Sequence, residues 1–444
     1  MALLLGGAYA TLALLSPKAA LLVLLPVVAL AGEMQVGGVL LRPDDLMLTI
    51  LVVSWLLRRM TEKRAGTPLD RMLWAYVIVG VVATLWGAAI GTADLRALHQ
   101  YSASGLHMVK RLQFVIYFFV LTDTLKSVDD VRRMVYVFMA SLAGLSAFSM
   151  SKFREAGIAL APVGAAIHEP GLAAMLNVAL ALGLLVASKR FATSLVSGAL
   201  LLGSLWVLPF SLGRNFILST LAMLGLVATS RKRALLLVLP IGWLLAPLVL
   251  PDDVLARALS IRYAFTQTPP PGVPGAGIYV PDRLNPGLRW GGQVLMSSPL
   301  FGWGLGSVPL GSLDSEYANQ FVATGAVGFL VFALLVRRIW HLARETYKAA
   351  TAQDSGALPF VAGLQHCLLG YALYSIFSPS ISAARAGAFF FTVLGLLAVL
   401  HRELVQARPI QGPEATEIAG RDRSEDSMMY YRPGVTHQSG ESRW

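Results

Sequence analysis

The sequence predicts an all-α polytopic membrane protein with about 11–13 transmembrane helices and one long loop on the non-cytoplasmic side. Three observations carry this. Of 444 residues, 56% are hydrophobic and only 14% are charged, against about 25% charged in soluble domains. Apolar runs long enough to cross a bilayer as helices recur along nearly the whole chain. Lysine and arginine gather in every second short loop, the asymmetry that marks the cytoplasmic side.

The runs come in order. Residues 3–16 and 19–32 are short and divided by Pro17 and Lys18; they are either two short crossings or a hairpin that only dips into the bilayer. Spans follow at 45–57, 72–91, 106–122, 133–150, 170–188, 191–209, 215–230, 234–250, 316–336, 358–377 and 386–400. The loop after the first of these carries Arg58, Arg59, Lys63, Arg64 and Arg71. Every second loop after it is again basic: Lys126, Arg132 and Arg133; then Lys189 and Arg190; then Arg231, Lys232 and Arg233; then Arg337, Arg338, Arg344 and Lys348. The membrane domain therefore spans 1–401, and 402–444 is a polar cytoplasmic tail with no apolar period, which reads as disordered. On the opposite side, residues 251–315 form a long loop. Its Pro-rich centre, 268–281, reads as a lid or linker, and its flanks, 252–265 and 288–298, as short helices.

Composition also excludes. A net charge of +11 suggests nucleic acid, but the basic residues are spread over interhelical loops and form no binding stripe. One cysteine, Cys367, rules out an internal disulfide, and its apolar surroundings fit an inert thiol. The N-terminus is apolar from Leu3 without a basic leader and does not read as a cleaved signal. No metal-ligand spacing is present.

Charge at membrane depth is costly and usually functional. Arg214, in Ser211-Leu212-Gly213-Arg214-Asn215, falls in a very short outer turn at a helix start, where helix amides and a guanidinium fork both favour an anion; the plainer alternative is an arginine snorkelling to the interface. Lys110 and Arg111 end a span on the same side and offer a second positive cluster for phosphate. Arg289 and Trp290 lie in the long loop, ahead of Pro299-Leu300-Phe301-Gly302-Trp303-Gly304-Leu305-Gly306. These glycines permit tight turns and close approach of chain to ligand. They are not a nucleotide loop, since no strand precedes them and they lie outside the cytoplasm. Asp314, Ser315, Glu316 and Tyr317 open the next span. The acids either cap that helix or supply a general base from Asp314 or Glu316.

The ordered set Ser211-Leu212-Gly213-Arg214, Arg289-Trp290, Pro299 to Gly306, Asp314-Ser315-Glu316-Tyr317 and Gly325-Ala326-Val327-Gly328 resembles the O-antigen ligase and O-antigen/exopolysaccharide polymerase superfamily. His168-Glu169-Pro170-Gly171 looks like that family's outer acid-Pro-Asn element, with Gly171 in place of Asn. The resemblance covers about residues 40–400. It implies a fold similar to GT-C-type membrane glycosyltransferases in the bacterial inner membrane, with the active site facing the periplasm. The implied reaction moves a glycan from undecaprenyl pyrophosphate to an acceptor sugar hydroxyl, with no nucleotide sugar, metal or other cofactor. The implied partners are the lipid-linked glycan, the acceptor glycan, membrane lipid, and a flippase or chain-length regulator. By motif, Arg214 and Arg289 contact the pyrophosphate; Lys110 and Arg111 support them. Asp314 or Glu316 serves as base, and Tyr317, Trp290 and Glu169 contact substrate. Ligases of the family carry a His-Asn pair where this chain has Asp314-Ser315, which favours polymerase over ligase. A transporter of lipid-linked glycans and a non-catalytic assembly protein are the rivals from other classes. No internal repeat supports the former.

Overall fold

A computed structural model describes residues 2–406, apart from 33, 37–38, 61–65, 94–103, 157–168, 190, 212, 231–247, 249, 253, 256–279, 309–312 and 314. Outside the described residues lie Asp314, His168, the basic loop residues Lys63, Arg64, Arg190, Arg231, Lys232 and Arg233, the expected span 234–250 and the expected short helix 252–265 but for isolated residues, the Pro-rich loop centre but for its last two residues, and the tail from 407. Thirteen α-helices are described: α1 Ala2–Leu15, α2 Pro17–Leu30, α3 Pro43–Arg59, α4 Asp70–Ala89, α5 Ser104–Thr124, α6 Val128–Ala156, α7 Glu169–Ala187, α8 Phe191–Val207, α9 Arg214–Ser230, α10 Val280–Ser297, α11 Glu316–Ala352, α12 Leu358–Tyr374 and α13 Ala384–His401. Every other expected run coincides with one of them. Six helical segments are long and apolar enough to cross a membrane, and four shorter apolar helices accompany them. The chain is an α-helical, multi-pass membrane protein.

Three expectations are amended. A small antiparallel hairpin, β1 Met34–Val36 with β2 Val39–Leu41, interrupts the helical pattern and pairs Met34 with Leu41. Helix α10 starts at Val280, well before the flank expected at 288. Helix α11 has 37 residues and continues far past 336. At 1.5 Å per residue it is roughly 55 Å long, against a hydrocarbon core of about 30 Å. Its second half, with Arg337, Arg338, Arg344 and Lys348, projects beyond the apolar zone.

Cross-helix contacts sort the helix ends into two poles. At the basic pole Lys18 pairs with Asp130 at 2.6 Å, Lys189 pairs with Asp354 at 2.6 Å, and Arg402 donates to Leu125 O at 2.6 Å. At the opposite pole Arg42 donates to Val28 O at 3.0 Å and Arg385 to Ala31 O at 2.6 Å. Helix α2 is tied to the first pole by Lys18 and to the second by Val28, so it traverses the bundle. The N-terminal hairpin therefore crosses the bundle.

Helices α7 and α13 are buried along nearly their whole length and form the centre. Helix α7 crosses α12 at Gly183, where a Cβ would sit 2.1 Å from Gly363 N. Only small residues allow backbones this close, and in lipid such packing replaces the hydrophobic drive between helices. Helix α8 is peripheral, with Phe191, Leu195, Val196 and Leu202 exposed. Exposed apolar side chains of this kind suit contact with lipid tails.

Candidate functional site

The opposite pole is built on a break in α11. Gly325 has φ +64°, outside the helical region, and the helix kinks there. A break frees backbone groups that must find partners in an apolar setting. The segment 299–304 supplies them. Trp303 N and Gly304 N donate to Val322 O and Ala323 O at 3.0 and 2.9 Å, while Ala326 N and Val327 N donate to Pro299 O and Leu300 O at 2.9 and 3.1 Å. The same segment is held against α4: Leu305 N donates to Thr84 Oγ1 at 3.2 Å, and Trp86 Nε1 to Ser298 Oγ at 2.8 Å. The glycines of Gly302-Trp303-Gly304-Leu305-Gly306 thus serve close chain packing. A Cβ at Gly306, itself at φ +69°, would meet the His107 ring at 2.4 Å.

This packing leaves a narrow cleft beside the break, open to solvent, between α4, α5, α11 and the turn before α13. Its cationic wall is one face of α5. His107, Lys110, Arg111 and Phe114 follow at i, i+3, i+4 and i+7, and all four line the cleft. Asn319 and Ser382 line the far side.

Arg111 is 9% exposed. Its Nη2 donates to Gln320 Oε1 at 2.9 Å, and its guanidinium carbon stands 4.1 Å from the Tyr76 ring centre. Both partners are neutral, and among the described residues no carboxylate lies within ion-pair distance of it. A buried cation held only by an amide and an aromatic face is a strong attractor of an external anion. Lys110 is different. It pairs with Asp45, which also accepts from Gln113 Nε2 at 2.8 Å.

Glu316 has no exposed surface. Its carboxylate accepts from Ile381 N, Ser382 N and Ser382 Oγ at 3.0, 3.2 and 2.8 Å, and from Gln320 Nε2 at 2.6 Å. Gln320 in turn holds Arg111. Glu316 is therefore placed to position the cleft wall through Gln320. Tyr317 donates to Ala372 O at 3.2 Å and clamps the start of α11 to α12. Trp290 packs edge-on against Trp303, with ring centres 5.6 Å apart, and anchors α10 to the glycine-rich segment.

The remaining expected residues are distributed around this pole. Arg289 is exposed on α10 and does not line the cleft. Arg214 opens α9; its neighbour Asn215 donates to Phe377 O at 2.7 Å, which docks that helix start on the segment leading to Ser382. Glu169 opens α7 and pairs with Arg385, which is 1% exposed. Thus the starts of α7, α9 and α11 share one pole, while of the expected residues whose side chains are described Lys110 and Arg111 line the cleft itself.

Sequence reasoning passed over His107, Asn319, Gln320, Ser382 and Arg385. Two of these carried a signal. His107 completes an i, i+3, i+4 basic face with Lys110 and Arg111, and Arg385 is a lone charge opening an apolar run. The others are ordinary polar residues until the fold joins them. No model of a known protein family matches the chain, and no curated protein matches it.

Proposed function

We propose that the chain is a membrane glycosyltransferase that polymerises glycan repeat units carried on undecaprenyl pyrophosphate, at the periplasmic face of a bacterial inner membrane. The observation that carries the reading is Arg111: a buried guanidinium with neutral partners, on a cationic cleft wall, at the pole opposite the basic loops. Pyrophosphate is an anion of matching chemistry, and arginine binds it with paired donors. The order of motifs around Arg214, Arg289 and Asp314 supports the same reading.

In the proposed reaction, an acceptor sugar hydroxyl attacks the anomeric carbon of the donor glycan from the face opposite the pyrophosphate. The new glycosidic bond forms as the anomeric carbon–oxygen bond breaks, and polyprenyl pyrophosphate leaves with the electron pair. Asp314 takes the hydroxyl proton. Arg111 offsets the negative charge that grows on the leaving group; by the resemblance Arg214 and Arg289 bind the same pyrophosphate, Arg289 from α10 outside the cleft wall. Glu316 and Gln320 hold Arg111 in place through hydrogen bonds.

Purified protein supplied with a lipid-linked repeat unit tests this. The expected product is a ladder of lengthened lipid-linked chains. Transfer only to a separate lipid or protein acceptor would assign a ligase instead, and no turnover would point to transport or assembly. In a deletion strain complemented with Arg214→Ala or Arg111→Ala, polymer yield and length are expected to fall; unchanged polymer from both variants would sink the assignment.

A further inference from the structure

A larger cleft lies at the other pole. It opens between α6, the junction of α7 and α8, and the start of α12, with a volume of about 210 Å³. Two cations line it, Arg132 and Lys189, with one carboxylate, Asp354, and hydroxyls from Thr193 and Ser355. Tyr136 lines it too, half-exposed and edge-on to Phe360 at 5.6 Å. An aromatic ring of this kind suits the headgroup level of a bilayer.

We infer that this cleft is a binding site for the headgroup of an anionic phospholipid. Charge is the first argument. Lys189 pairs with Asp354, but their side chains are 79% and 75% exposed, and Arg132 pairs with Asp129 three residues away, at 45% and 65% exposed. Exposed pairs of this sort are weak, so a phosphate can take over both cations. Continuity is the second. Val196, three residues past Thr193 and so on the same face of α8, is 60% exposed. A headgroup in the cleft therefore has an apolar helix flank beside it for its acyl chains. Basic recesses between helices at the cytoplasmic level bind acidic headgroups in this manner. A soluble phosphate has no use for that flank. The inference is independent of the reaction at the opposite pole.

The test uses the full chain in nanodiscs of phosphatidylcholine, alone or doped with phosphatidylglycerol. Thermal unfolding and native mass spectrometry of retained lipid are the readouts. Doping is expected to raise Tm, and phosphatidylglycerol to be retained over phosphatidylcholine. Each cation contributes about fivefold to that preference. Arg132→Gln with Lys189→Gln is then expected to lose roughly 25-fold of it while its Tm in pure phosphatidylcholine stays put. Both side chains are exposed, so the fold does not depend on them; Lys189→Gln alone reads the same loss at about fivefold should the double variant fail to insert. Equal retention of the two lipids, or a preference that survives the double variant, would overturn the site. A Tm rise of the same size from inorganic phosphate would overturn the lipid as its occupant.

Discussion

A guanidinium at 9% exposure, held by an amide oxygen and a tyrosine face, has no carboxylate within ion-pair distance among the described residues. Removing a charge-assisted contact to a leaving group costs about 1.5–3 kcal/mol, or roughly 10- to 150-fold in rate. Arg111→Gln is expected to lower kcat/KM for a lipid-linked repeat unit by that factor, with a modest fall in Tm because it leaves one buried acceptor, Gln320 Oε1, unpaired, both measured on purified protein. Arg111→Lys is not expected to restore it, since an ammonium cannot lie on the Tyr76 ring and reach Gln320 with the same planar fork. Glu316 behaves in the opposite way. Glu316→Ala strands the donors at Ile381, Ser382 and Gln320, and each buried unsatisfied group costs about 1–3 kcal/mol. A large drop in Tm is expected. Glu316→Gln keeps an acceptor, and is expected to stay folded and retain turnover; loss of turnover at unchanged Tm would return Glu316 to the role of base.

At the scale of elements, the kink in α11 decides where the cleft lies. Gly325 sits at φ +64°, and a Cβ there would meet the Leu300 carbonyl at 2.5 Å. A side chain in this backbone region costs about 1–3 kcal/mol before the clash is counted. Gly325→Ala is expected to lower Tm and to expose the 299–306 segment to protease, because the four backbone bonds across the break hold that segment down. The glycines were visible in the sequence as a sign of close approach. What they approach was not: the partner of Gly302 is α11, and that of Gly306 is the His107 ring. The helix itself was legible from hydropathy, but its break was not, since Gly325 stands in an unbroken apolar run.

At the scale of the whole molecule, sidedness is the claim to test. Cys367 is fully buried, which makes the native chain a quiet background for thiol labelling. Met60, at 84% exposure, ends α3 at the basic pole, and Met296, at 87%, lies on α10 at the other. In spheroplasts a membrane-impermeant maleimide is expected to label Met296→Cys directly, and Met60→Cys only after lysis. The reverse pattern would invert the topology and place the Arg111 cleft in the cytoplasm.

Hydropathy and loop charge alone placed the described apolar helices in order and sorted their ends, while missing the start of α10 and the length of α11. The order and the sorting follow from sums over about 20 neighbouring residues and from the charge of short loops, both local properties of the chain. The sequence also singled out Lys110 and Arg111 as positive charge on the right side. It takes the packed fold to show that these two line the cleft while Arg289 and Glu169 do not, and that Glu316 is bonded to Ile381, Ser382 and Gln320. The physical reason is distance along the chain. Arg111 meets Gln320 across 209 residues, and Glu316 meets Ser382 across 66. A polar side chain acquires its role from partners that no local pattern of hydropathy or charge encodes.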